Sequence, residues 1–173
     1  MFFFNNCNNC NRCCNQNCCC NRIYRSINTL PRPPIPPIPP VILPAVIGTY
    51  NASAGIVTAG ATLPLGTQYY TTSSDATYVP PDTITLTDGI YRISYGADAT
   101  GTVGTASLSL AYNGGILAQS TSTSSLAAAT DIIRLGSTIV IDARNVPTTL
   151  TLVNSGTTDM TFNNITLTAT EIS

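Results

Sequence analysis

Seven cysteines stand within the first twenty residues of this 173-residue chain: Cys7, Cys10, Cys13, Cys14, Cys18, Cys19 and Cys20. Thiols at such density hold a metal or pair as disulfides. The run reads Cys-x-x-Cys-x-x-Cys-Cys, then three residues, then Cys18-Cys19-Cys20. An iron–sulfur run would continue with a cysteine at position 17, which is Asn17. Structural zinc takes two spaced pairs or histidine partners, and the chain contains no His. The cluster therefore reads as inter-subunit disulfide chemistry, with no metal and no cofactor. An odd number leaves at least one thiol free or bonded outward. No second constellation supports catalysis. The chain has no Lys, so its seven basic residues are all Arg, and general-base, Schiff-base and phosphate-cradling chemistries lose their usual residue. Asp82 with Asp88, and Asp131 with Asp142, fall where turns are expected. The expectation is no catalytic residue and no enzyme.

The residues around the thiols divide the chain into three zones. Residues 1–30 hold every Cys and open on Met1-Phe2-Phe3-Phe4. The apolar Phe2, Phe3 and Phe4 read as an anchor that docks in a neighbouring subunit; the plainer reading is an unpacked tip. Residues 31–44 hold eight of the twelve prolines. Proline fixes φ and biases its predecessor to extended geometry, so this segment reads as polyproline II. At three residues per turn, Arg32, Ile35, Ile38 and Val41 fall on one stripe. The stripe packs against a body or other copies of the rod, unless the segment is a stiff spacer with incidental aliphatics. At about 3.1 Å per residue the rod spans about 40 Å. Residues 45–173 form the body, with no Cys and four Pro.

Charge divides in the same way. Residues 1–44 carry four Arg and no acid, and residues 45–173 carry three Arg against eight acids, so +4 and −5 sum to the net −1. A near-neutral chain with 9% charged residues is not a nucleic-acid binder. No run reaches the ~18 apolar residues that span a bilayer. The three opening Phe are too few for a secretory h-region of roughly 7–15 residues. Export by the general route is not expected, whereas a Cys-dense arm implies an oxidising destination. Assembly inside a cell, followed by release on lysis, satisfies both.

The body alternates in short runs separated by turn signals. Thr83 to Thr87 leads through Asp88-Gly89 into Ile90 to Tyr95. Ala106 to Tyr112 meets Asn113-Gly114, a strong hairpin signal, with Ile116 to Ser120 returning. Ile132 to Leu135, Thr138 to Asp142, Thr148 to Val153 and Met160 to Glu171 follow, the last with a bulge at Asn163-Asn164. Ala45 to Tyr50, Gly55 to Ala59 and Gln68 to Thr72 are less regular strands. Ser124 to Ala129 is compatible with a helix but short. These predict an all-β, ten-stranded antiparallel jelly-roll sandwich. Tyr91, Ile93, Tyr95, Phe162, Leu167 and Ala169 read as core, with a subunit interface as the alternative. With 27 Thr and 14 Ser in place of charge, a solitary monomer is not expected.

The segments Asp88-Gly89-Ile90-Tyr91-Arg92-Ile93 and Asn164-Ile165-Thr166-Leu167-Thr168-Ala169 resemble the tumour-necrosis-factor-like, complement-globular-head-like trimeric jelly roll. The variant they are most similar to ends the collagen-like glycoproteins of bacterial spore surfaces. The resemblance implies a homotrimer, although the Pro-rich rod replaces a collagen stalk. The arm, with Cys13-Cys14-Asn15-Gln16-Asn17-Cys18, resembles the N-terminal connector of endospore appendage subunits, which locks into a neighbour by disulfides. Those partners carry Cys on the body and this body has none, so any disulfide joins arm to arm, within or between subunits. Three copies carry twenty-one thiols, again odd, so at least one thiol per trimer stays free or bonds outward, and outward bonds would link successive trimers. In a bacterial setting the glycosylation patterns at Asn51 and Asn164 carry little weight. The expected function is a structural subunit of a disulfide-cross-linked spore appendage or spore-surface filament, built from head-to-tail trimers. The alternative is a trimeric binding head anchored by its arm to a Cys-rich coat protein.

Overall fold

The computed structural model describes residues 43–172. The cysteines, Phe2 to Phe4, and the stripe Arg32, Ile35, Ile38 and Val41 lie outside the described residues. Two antiparallel sheets face each other with no α-helix among the described residues. β1 (Val46–Val57), β3 (Thr67–Thr71), β6 (Ile90–Gly101), β10 (Ile133–Asp142) and β12 (Met160–Glu171) form one sheet in the order β10-β6-β12-β1-β3. The other contains β4 (Ala76–Val79), β5 (Thr83–Leu86), β11 (Thr148–Asn154), β7 (Gly104–Tyr112) and β8 (Gly115–Ile116) in that order. β2 (Thr62–Leu63) adds to β11, and β9 (Ser122–Leu126) adds to β7. The strand count is therefore twelve rather than ten.

The differences have local causes. The runs at Ala45–Tyr50 and Gly55–Ala59 are one strand, β1, which keeps pairing with β12 through a register shift between Ser53 and Gly55. Ile132–Leu135 and Thr138–Asp142 likewise merge into β10, because Gly136 and Ser137 stay paired with Gly96 and Tyr95 of β6. The return from Asn113-Gly114 pairs only through Gly115 and Ile116. The chain then makes a 3-10 turn at Ala118–Ser120 and pairs with β7 as Ser122–Leu126, a strand the sequence reading did not assign. The turn itself is as expected: Asn113 and Gly114 both take positive φ, 48° and 81°, as a two-residue hairpin of type I′ requires.

Period-two alternation places the core between the sheets. Tyr91, Ile93, Tyr95, Ala97 and Ala99 of β6 are buried, as are Phe162, Ile165, Leu167 and Ala169 of β12. The step from even to odd positions in β12 comes from a bulge between Asn163 and Thr166, where Asn164 takes φ 49°. The facing sheet contributes Leu108, Leu110, Leu150, Leu152, Ile84 and Leu86. The two segments that carry the family resemblance are adjacent central strands, with Ile93 opposite Ala169 and Tyr95 opposite Leu167.

One glycine is required by its surroundings. Gly66 takes φ +77°, and a Cβ there would fall against the Tyr50 carbonyl oxygen and 2.7 Å from the Asn51 Cβ. Gly66→Ala is expected to cost at least about 2 kcal/mol, because strain and overlap act together. Thermal unfolding checks this: a midpoint within a degree of the unsubstituted protein would contradict it.

Candidate assembly face

The outer face of the five-stranded sheet is set by register. Thr138 of β10 pairs with Ser94 of β6, Ser94 with Thr168 of β12, and Thr168 with Gly48 of β1. The next row runs Gly136, Gly96, Thr166 and Tyr50. These eight positions carry no charge and, apart from Tyr50, only small side chains. Ser94 and Thr138 share a 3.0 Å hydroxyl contact. Tyr69 of β3 lies across Gly48, and its hydroxyl is 3.4 Å from the Thr168 hydroxyl. Glycine at 48 leaves the room this ring occupies.

One edge of the face is polar. Arg134 Nη1 lies 3.0 Å from Asp98 Oδ1 and also donates to the Asn164 carbonyl. Asn164 Nδ2 donates to Asp98 Oδ2, and Tyr50 donates its hydroxyl to Asn164 Oδ1. The hydrogen bond from Asn164, followed by Arg134, holds the Asp98 carboxyl below its usual range. The bulge thus aims Asn164 at both neighbours, and the exposed charges of this face, Arg92 on β6 with Arg134 and Asp142 on β10, lie around the two uncharged rows. No local signal in the sequence marks this face, because its four strands are not consecutive.

Three of the four aspartates weighed in the sequence have partners for their side chains, and Asp142 ends β10 rather than standing in a turn. Asp82 accepts hydroxyls from Thr62 and Thr83, and Asp131 Oδ2 accepts the N–H groups of Ala127 and Ala128. Asp142 binds Arg144 through both carboxylate oxygens, which holds its carboxyl at about 2. Asn51 donates to the Pro64 carbonyl and accepts from Ser53 N–H, so its side chain braces β1. A groove of about 250 Å³ opens between β7 and the edge of β10, lined by Tyr112, Leu117, Gln119, Val140, Ile141 and Asp142. It is smaller than the ~300–1,000 Å³ usual for small-molecule sites.

The tyrosines of the inner face are core. Tyr95 donates to the Ser120 carbonyl and Tyr91 to the Thr87 carbonyl at 2.7 Å. Burial, with Glu171, Asp75 and Asp88 nearby, pushes the Tyr91 phenol up to about 12. The folded state then holds a proton that the unfolded chain releases near 10. Stability is complete below pH 10 and is expected to fall by about 2–3 kcal/mol as pH rises through 12. Denaturant unfolding of the protein and of Tyr91→Phe at pH 9 and 12 tests this; an equal loss in both would remove Tyr91 as its source.

No family model and no curated protein matches the chain. Solved structures do match over the body. Eiger TNF from S. frugiperda superimposes with a TM-score of 0.59 at 11% identity, over 76% of this chain and 92% of that one. The globular domain of zebrafish complement 1qA gives 0.58 at 9% identity, covering 75% and 98%. The body has the TNF and C1q jelly-roll fold. Murine APRIL agrees, at a TM-score of 0.56 and 11% identity over 75% of this chain and 100% of that one. At these identities the likeness is of the jelly roll alone.

Proposed function

We propose that this chain is the structural subunit of a self-assembling, disulfide-cross-linked fibre on the spore surface. Jelly-roll bodies form trimers, and N-terminal arms join one trimer to the next. The observation that carries the reading is the separation of roles: every thiol lies in residues 1–30, while the cysteine-free body has its own core and presents two uncharged rows of Thr, Ser, Gly and Tyr50 across one sheet face. A flat face of Thr, Ser and Gly lets copies approach closely without desolvating charge, and the sequence resemblance to trimeric heads supports three-fold assembly. Arm-to-arm disulfides then link trimers, and a heterologous contact that does not close extends into a filament.

Negative-stain microscopy of the full chain, with and without a strong reductant, tests the reading. Heat-resistant fibres that break up on reduction are expected. Discrete trimers in both conditions would sink the fibre and leave an anchored binding head. The trimer has its own test. Thr168→Arg places a charge at the centre of the face and is expected to weaken association at least a hundredfold by sedimentation, whereas Thr151→Arg on the other sheet leaves it unchanged. Equal behaviour of the two would place the interface elsewhere.

A further inference from the structure

The body takes hold of its first residues, Pro44 to Val46, through only two others. Ala45 is fully buried, so its main-chain N–H and C=O both need partners. Glu171 supplies both: its N–H donates to the Ala45 carbonyl at 2.7 Å, and its Oε2 accepts the Ala45 N–H at 2.8 Å. Thr72 does the same for Val46. Its N–H donates to the Val46 carbonyl at 3.1 Å, and its Oγ1 accepts the Val46 N–H at 2.8 Å. The same hydroxyl donates to the Pro44 carbonyl at 2.8 Å. In an ordinary hydrogen-bonded antiparallel pair, each residue gives its N–H and accepts at its main-chain carbonyl. Here a side-chain oxygen takes the carbonyl's place on both flanks of β1, at the end of β12 and just past the end of β3.

We infer that Thr72 and Glu171 form a buckle that fastens the entry of β1 and opens as one unit, separately from the core. The inference goes beyond the fibre reading and holds whether or not bodies polymerise. Three observations carry it. The Thr72 hydroxyl bridges Pro44 and Val46, and Ala45 between them is held by Glu171, so loosening either flank frees the segment on both. Thr72 is exposed, and water competes there for bonds that the core strands keep from it. Further along, β1 pairs irregularly on each side, with a shift between Gly48 and Thr49 against β3 and between Ser53 and Gly55 against β12, so its entry needs a fastening of its own. Gly89 belongs to the same device. It does not take positive φ, yet a Cβ there would lie 3.0 Å from Glu171 Oε1, so glycine leaves room for the carboxylate.

Hydrogen exchange of the full chain in reductant, resolved to single amides by mass spectrometry, tests the buckle. Thr72→Val and Glu171→Ala are each expected to speed exchange at both Ala45 and Val46 by at least about tenfold, the scale of one lost hydrogen bond. The amides of Ile93 and Leu167 in the central strands keep their rates. Thr72→Ser and Glu171→Gln each retain an accepting oxygen and are expected to exchange as the unsubstituted chain does. If each variant moved only the amide of its own partner, the bonds would be separate and the buckle overturned. Equal acceleration at Ala45, Val46, Ile93 and Leu167, as a variant that fails to fold would give, would place both residues in the global core and overturn it too. Unchanged rates at Ala45 and Val46 would do the same.

Discussion

Deleting residues 1–30 is expected to leave soluble trimers of the body and to abolish fibres completely. The body requires nothing from the arm to close its core. Both sheets bury their facing side chains against each other, from Ile47, Ile93, Phe162 and Leu167 on one to Leu108, Leu110, Leu150 and Leu152 on the other. Deletion removes every thiol and the apolar tip together, so both the covalent and the non-covalent link between trimers are lost. The outer face of the five-stranded sheet is untouched. Microscopy and sedimentation of the shortened chain report the two consequences separately. Fibres of unchanged length would refute the role of the arm, and monomers would move the trimer contact into residues 1–30.

Phe162→Ala carries the largest expected effect on the body itself. Phe162 is fully buried near the start of β12, opposite Ala99 of β6 and next to the bulge that re-phases the strand. Its removal loses the transfer free energy of an aromatic ring and leaves a cavity that two hydrogen-bonded sheets cannot close. The cost is about 3–5 kcal/mol, against a total stability of about 5–15 kcal/mol for a domain. The denaturation midpoint is expected to drop sharply with an unchanged slope. Because any self-association stabilises by mass action, both proteins must be compared at one concentration. A loss below about 1 kcal/mol would mean that the two sheets move together at this point.

Much of the body was legible in the sequence because its signals are local. Alternation at Ile90 to Tyr95, the Asn113-Gly114 turn and the bulge beside Asn164 each follow from a few neighbouring residues. The misread elements are those where pairing overrides local character. Asn51, Ala52 and Ser53 look like a break, yet β12 holds them in one strand with Val46. Ser122 to Leu126 is poor in apolar residues, yet β7 supplies its partner. The candidate assembly face was illegible for a different reason. Thr138, Ser94, Thr168 and Gly48 become neighbours only through the register of four strands scattered along the chain. Composition had announced a surface with little charge; the topology says where that surface is continuous.

The pairing of β1 with β12 has a mechanical consequence. Tension that entered a body at the start of β1, just after Pro44, would act along that strand. β1 is hydrogen-bonded along its length to β12, from Val46 opposite Thr170 to Val57 opposite Met160. The pull then runs parallel to the strands and perpendicular to the bonds, so the ladder is loaded in shear and its rungs share the force rather than opening one at a time. A body suspended in this way resists stretching as a rope resists, by the joint strength of its lay. Its weakest links are the junctions between bodies, where covalent cross-links would matter most.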